Sequence, residues 1–248
     1  MVLADYNDKN YDYTKYWDGR DYENESEFIA LQKLLRKRRN GNGSVIDVGG
    51  GFGRLLPLLK DFFKDITIFD YSKKLLDVAN EGAGRLGLQI KTEVGDVNNL
   101  SNLLDRKYDC VTMIRVSHHL EDLERVFLEV KNVLDKDGVF ILEVANKVHF
   151  KSVVKNIFKG NIKYLNRESV SIATKNVTFL NHHPKRVEMM LKNSGFKIVR
   201  KLSVSNFRSP VIKKIVPMRI LIVLEKLFQG ILAPLYFGPS IFYELKVG

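Results

Sequence analysis

The chain has 248 residues, 45% of them hydrophobic, enough to close a sizeable core without cross-links, and this excludes a disordered or fibrous protein. Its one cysteine, Cys110, excludes an intrachain disulfide and suits a reducing, cytoplasmic setting. The formal net charge of +11 favours anionic partners such as nucleic acid, acidic lipid headgroups or phosphorylated small molecules, against the plainer alternative of a lysine-rich surface.

Residues 1–13 are polar and tyrosine-rich, with no basic stretch leading into an apolar one, so no secretory signal is expected. Phe28, Leu31, Leu34 and Leu35 recur at helical spacing and predict a helix over Phe28–Arg39, ended by Asn40-Gly41-Asn42-Gly43. Strand-like and helix-like segments then alternate. Ser44–Val48 reads as a strand, Arg54–Phe63 as a helix with Pro57 in its first turn, and Ile66–Phe69 as a second strand. A helix over Ser72–Glu81, N-capped by Ser72, leads to a third strand at Leu88–Val94 and a fourth at Cys110–Ile114. A helix carries Leu123, Val126, Phe127, Val130 and Leu134, and Asp137-Gly138 turns into a fifth strand, Val139–Ala145. Pro184–Asn193 reads as a helix, and Phe196–Val204 and Ser240–Lys246 as the last strands. This order implies an α/β fold: a doubly wound, mostly parallel sheet of about seven strands with helices on both faces.

The most informative segment is Asp47-Val48-Gly49-Gly50-Gly51-Phe52-Gly53, where a buried strand runs into glycines and then a helix. In such sheets the ligand crevice lies beyond the carboxyl ends of the strands. The dinucleotide spacing G-x-G-x-x-G fails, because the sixth position from Gly49 is Arg54, and no lysine follows to make a phosphate loop. Instead Asp47 stands two residues before Gly49, suited to a cationic group such as an α-amino group. Asp70 closes the second strand, where a carboxylate can accept hydrogen bonds from both ribose hydroxyls; otherwise it begins the turn that Ser72 caps.

Together these residues resemble the first two motifs of class I S-adenosylmethionine-dependent methyltransferases, particularly the broad type 11 group of small-molecule enzymes. The likeness runs through Ser44–Asn146, with Gly95-Asp96-Val97, Tyr108-Asp109-Cys110-Val111, Ser117-His118-His119-Leu120 and Leu134–Val139 following in order. It implies a Rossmann-like fold and S-adenosyl-L-methionine as cofactor, released as S-adenosyl-L-homocysteine. It also implies cofactor contacts from Asp47, Gly49, Gly50, Gly51, Asp70, Tyr71, Asp96, Val97, Ile114 and Arg115. Tyr16-Trp17-Asp18-Gly19-Arg20-Asp21-Tyr22 is similar to segments that cover the cofactor, so Tyr16 and Arg20 are candidates for the methionine carboxylate, the alternative being a surface segment docked through Trp17.

Catalysis in this family is largely alignment of the acceptor with the sulfonium methyl. His119, and after it His118, are the candidate bases at the crevice rim; the alternative is a helix cap and a solvent-facing ring. His182-His183 is a second pair, read as the entry to the Pro184 helix. Quinone-type relatives that carry a metal do so through Glu-x-x-Glu-His; here Arg115-Val116-Ser117-His118-His119 lacks both acids, so no metal is expected. Cys110 reads as buried packing, and the absence of an Asn/Asp-Pro-Pro-Tyr segment disfavours the branches that methylate DNA amino groups or protein glutamine.

After the fifth strand Lys147, Lys151, Lys155, Lys159, Lys163 and Arg167 recur every four residues beside Phe150, Val153, Val154, Ile157 and Phe158, predicting a helix with cationic and apolar faces that Gly160 ends. Val211–Phe237 is apolar, broken by prolines, and carries Lys213, Lys214, Arg219 and Lys226. It reads as a helical cap, a contact with an anionic membrane surface serving a lipid-linked acceptor, or a dimer interface.

The expected organisation is one domain over 1–248: a covering segment and helix (1–40), a cofactor core (41–146), helical acceptor-side insertions (147–180 and 207–239), and a final helix and strands (181–206 and 240–248). The expected activity is metal-independent methyl transfer to a small-molecule or lipid-linked acceptor, with nucleic acid not expected as partner and oligomeric state left open. The alternatives are a non-catalytic binding or assembly module on the same fold and a nucleotide-dependent oxidoreductase or epimerase on a related one.

Overall fold

The computed structural model describes residues 13–38, 41–173 and 178–248. The polar opening stretch through residue 12, together with Arg39 and Asn40, lies outside the described residues. A 3-10 turn, Tyr13–Trp17, leads into helix α1, Asp21–Leu35, which starts well before Phe28. Asp21 and Glu23 complement the positive end of the helix dipole, and Tyr22, Ser26, Ala30 and Leu34 line up as a buried stripe four residues apart.

Strand β1, Gly43–Val48, and one-turn helix α2, Leu56–Leu59, precede β2, Phe63–Asp70. The expected helix over Arg54–Phe63 is thus a single turn, because Phe63 already belongs to the strand paired with Gly43. Helix α3, Lys73–Arg85, is capped by the Ser72 hydroxyl, which accepts from Leu75 N. It closes with Gly87 at φ +67°, while Leu88 N donates to Ala83 O at 2.9 Å. That helix end absorbs Leu88, so β3 spans only Lys91–Val94.

Helix α4, Leu100–Leu103, strand β4, Tyr108–Met113, helix α5, Leu123–Val133, and strand β5, Leu134–Ala145, complete the first half. Asp137-Gly138 does not end one element and start another. It lies in a bulge of β5, whose partners step from Tyr108↔Leu134 to Cys110↔Val139. Helix α6, Phe150–Phe158, is followed by an antiparallel pair, β6 (Val170–Ala173) and β7 (Thr178–Asn181), where only helix was expected. Helix α7, Pro184–Asn193, strand β8, Phe196–Val204, helices α8, Pro210–Ile215, and α9, Met218–Ile231, and strand β9, Ser240–Val247, finish the chain.

The main sheet has seven strands in the order β3-β2-β1-β4-β5-β9-β8. Strands β1 to β5 are parallel; β9 runs antiparallel to both β5 and β8. Successive residues of a strand face opposite sides. Val45, Cys110 and Ile141 therefore pack with α1, α2 and α3, while Ile46, Val111 and Phe140 pack with α5 and α7. The chain order reverses between β1 and β4, which opens a crevice at their carboxyl ends.

Candidate active site

The Gly49–Gly53 loop is folded back onto β2: Gly49 N and Gly50 N both donate to Phe69 O, at 2.7 and 3.2 Å. Gly49 has φ +69°, and a β-carbon there would stand 2.3 Å from Val116 Cγ2. A β-carbon on Gly50 would stand 2.7 Å from Asp47 Oδ2 and 2.9 Å from Ile68 Cγ2. The absence of side chains lets the loop lie flat between strand ends and leaves its outer face to a ligand.

Asp70 joins this loop to the next one. Its Oδ2 accepts from Gly51 N at 2.9 Å and its Oδ1 from Ser72 N at 2.8 Å. Burial raises its pKa, against the opposing pull of these backbone donors. With both oxygens pinned from the loop side, the carboxylate retains acceptor capacity toward the crevice. Asp96 Oδ1 accepts from Asn98 N at 2.9 Å and Asn98 Nδ2 at 2.8 Å, capping the turn Val97–Asn99.

A cavity of about 700 Å³ lies over these groups, within the range of small-molecule sites. Gly49, Gly51, Asp70, Tyr71, Asp96 and Val97 line it together with Arg115, Val116, His119 and Arg125. The set suits an adenosyl amino acid. Asp70 could accept from a diol and Asp96 Oδ2 from an exocyclic amine, half-exposed Tyr71 could offer a ring face, and Arg115 could pair with a carboxylate.

Not every expected contact lies on this wall. Asp47 sits beneath the loop, 2% exposed, with Oδ1 accepting from Thr112 Oγ1 at 2.7 Å; burial pushes its pKa up to about 6. Gly50 covers it and also stays off the wall. Ile114 packs into the core on the α1 side of the sheet. Tyr16 reaches the site indirectly, through its hydroxyl to Arg115 Nη2, and Arg20 lies over the Tyr16 ring at 4.2 Å.

Arg115 adopts φ +63°, a left-handed conformation uncommon for a residue with a side chain. Two buried acids hold it there. Its N donates to Glu143 Oε2 at 3.0 Å, and its Nη1 to Glu27 Oε1 at 3.0 Å. Glu27 also accepts from Arg54 Nη2 at 2.6 Å, and the Arg54 guanidinium stacks over Trp17 at 4.0 Å. The first helix, the glycine loop and the turn after β4 are thereby joined by one ion network. Sequence reasoning missed Glu27, Arg54 and Glu143; the one local signal was an acid inside the apolar run Val139–Ala145.

Of the two candidate bases only His119 lines the cavity. Burial, then the Arg115 charge, lowers its pKa to about 4. His118 is packed between the His119 ring, at 4.2 Å, and Phe179, at 5.2 Å, and does not reach the cavity. Burial, then the neighbouring His119, Arg115 and His182, lowers its pKa well below the usual imidazole value, and its Nδ1 has no hydrogen-bond partner among the described residues. His182 Nε2 lies 3.0 Å from Ser117 O and its Nδ1 3.0 Å from Ser169 Oγ, while His183 caps α7. Among the described residues no group of three or more His, Cys, Asp or Glu is disposed to hold a metal ion.

Residues 46–142 match the family described as methyltransferase domain. An uncharacterized protein of Methanocaldococcus jannaschii is 26% identical over 228 residues, 86% of this chain and 83% of its own. Among solved structures, an S-adenosylmethionine-dependent methyltransferase from Clostridium acetobutylicum superposes with a TM-score of 0.62 at 20% identity, covering 95% of this chain and 96% of its own. The magnesium protoporphyrin IX methyltransferase of Synechocystis, solved with bound S-adenosylhomocysteine, also has a TM-score of 0.62, at 18% identity over 98% of this chain and 91% of its own. That domain match over residues 46–142 and this fold make the chain similar to the class I S-adenosylmethionine-dependent methyltransferases, whose cofactor is S-adenosyl-L-methionine.

Proposed function

We propose that this chain transfers a methyl group to a small-molecule or lipid-linked acceptor without a metal ion. The observation that carries the reading is one cavity lined by Asp70, Asp96, Arg115 and His119 together. S-adenosyl-L-methionine, when bound, supplies an electrophilic methyl on sulfur, so the protein's task is to hold, orient and exclude water. Asp70 accepts hydrogen bonds from the ribose hydroxyls, and Asp96 Oδ2 from the adenine amine beside Val97 and Tyr71. Arg115, fixed by Glu143 and Glu27, binds the amino-acid carboxylate.

His119 borders the remaining space. With a pKa of about 4 its imidazole is neutral at pH 7, with one ring nitrogen left unprotonated. It therefore serves as a hydrogen-bond acceptor that orients an O–H or N–H of the methyl acceptor. What supports metal independence is the turn Arg115–His119, which carries a cation and no carboxylate where a hard divalent ion would need oxygen ligands.

Incubating the protein with methyl-labelled S-adenosylmethionine and separate aqueous, lipid, protein and nucleic-acid fractions tests the reading. Label is expected in the aqueous or lipid fraction, undiminished by a chelator. Label confined to protein or nucleic acid, or to none of the four, overturns it.

A further inference from the structure

Helix α9 buries Leu221 beside two polar side chains and leaves most of its aliphatic stripe outside. Its inward face carries Glu225 and Gln229, both 0% exposed, and its outward face carries Ile220, Val223, Leu227 and Ile231, each between 51% and 66% exposed. A surface helix ordinarily turns its aliphatic stripe to the core. Here a polar network sets the rotation. Glu225 accepts from Tyr22 Oη at 2.6 Å, Ser205 N at 2.8 Å and Asn206 N at 3.0 Å, and Gln229 Nε2 donates to Ser26 O at 2.8 Å. These bonds tie α9 to α1 and to the end of β8 and leave the aliphatic residues facing out. The stripe runs about 16 Å along the helix, and Ile215 before it and Leu235 after it are 75% and 70% exposed.

The surrounding charge has one sign. From Ser209 to Pro239 the only acid is the buried Glu225, while the cations are Lys213, Lys214, Arg219 and Lys226. Lys213 pairs with Glu23; Lys214, Arg219 and Lys226 have no ion-pair partner among the described residues. The stretch 147–167 is also free of acids, and α6 begins beside this region, where Phe150 stacks on Phe237 at 5.0 Å. An aliphatic stripe this exposed gains most when something covers it. A second copy meeting it face to face would bring unpaired cations against cations. An anionic bilayer answers both features, accepting the aliphatic side chains below its headgroups and the ammonium and guanidinium groups among them.

We propose that the outer face of α9, with its flanking turns, docks the protein on anionic membrane surfaces, lying in the headgroup plane without spanning it. No helix among the described residues is long and apolar enough to cross a membrane. The inference rests on the outer face of α9, none of whose residues lines the cavity of Asp70 and His119, and the two fail independently.

The test is co-sedimentation with phosphatidylglycerol vesicles and with phosphatidylcholine vesicles at 0.15 M salt, for the native chain and for V223E and L227E. The expected result is binding to the anionic vesicles, far weaker binding to the zwitterionic ones, and a loss of about tenfold or more on either substitution, a conservative figure for keeping one aliphatic side chain out of the apolar layer. S-adenosylhomocysteine binding, unchanged in both variants, reports that they fold. Absence of binding to phosphatidylglycerol, binding that ignores the substitutions, or a native dimer that both substitutions convert to monomers without any vesicle binding would overturn the proposal.

Discussion

Replacing Asp47 with asparagine is expected to stabilise the ligand-free protein at neutral pH. The carboxyl lies wholly beneath the glycine loop, and its pKa rises from an ordinary 3.8 to about 6, chiefly by desolvation. At about 1.4 kcal/mol per pH unit the ionised group costs the folded state roughly 3 kcal/mol above pH 6. Asparagine keeps an oxygen for the Thr112 hydroxyl but buries an amide N–H₂, at a cost of roughly 1 kcal/mol. The net gain is about 2 kcal/mol, or a melting temperature higher by about 4–8 °C for a chain of this size. The sign follows from linkage. The folded state binds this proton more tightly than the unfolded state, so the penalty is absent below 3.8, grows as pH rises toward about 6 and is complete above it. Calorimetric melts of both proteins near pH 7.5 and near pH 4 measure it. An asparagine variant no more stable at pH 7.5, or a gap that persists unchanged at pH 4, refutes the reasoning.

Three further outcomes are expected. Asp70→Asn turns an amide N–H₂ toward either Gly51 N or the ribose, and should weaken S-adenosylhomocysteine binding by about 1–3 kcal/mol in isothermal titration calorimetry. Gly50→Ala sets a methyl 2.7 Å from Asp47 Oδ2 and 2.9 Å from Ile68, and should lower the urea unfolding free energy by about 1–3 kcal/mol; an unchanged midpoint would mean the loop has more room than its contacts imply. His119 has its pKa lowered from 6.5 to about 4, so its share of stability is complete above 6.5 and is lost as pH falls toward 4. His119→Gln should therefore flatten the acid limb of a stability profile over that window by at most about 3 kcal/mol, and lower kcat while leaving S-adenosylhomocysteine affinity within about twofold.

The readable parts were those whose physics is local. Glycines after a buried strand, an acid closing the next strand and alternating apolar runs are fixed within ten residues of themselves, and β8 and α7 occupy the ranges their sequences imply. What stayed hidden depends on partners far along the chain. Glu27 meets Arg115 across 88 residues and Tyr22 meets Glu225 across 203, so neither acid could be told from a surface carboxylate. Lys147 counted as the first of a cationic series, yet it is 1% exposed, and its Nζ donates to Asn166 O, Asn166 Oδ1 and Glu168 O, fastening the turn before β6. The apolar run Val211–Phe237 does not say which way its helix turns; a buried glutamate with many donors decides that. His118 and His119 are adjacent and chemically alike, and Phe179 of β7 packs on both rings, so only the folded turn after β4 separates the one that lines the cavity from the one that does not.

The most direct measurement is a crystal structure of the protein with S-adenosylhomocysteine. The ribose hydroxyls should lie within hydrogen-bonding distance of the Asp70 carboxylate, the adenine beside Asp96 and Val97, and the amino-acid carboxylate at Arg115. Density for the ligand in another cavity, or a ribose turned away from Asp70, would contradict the account.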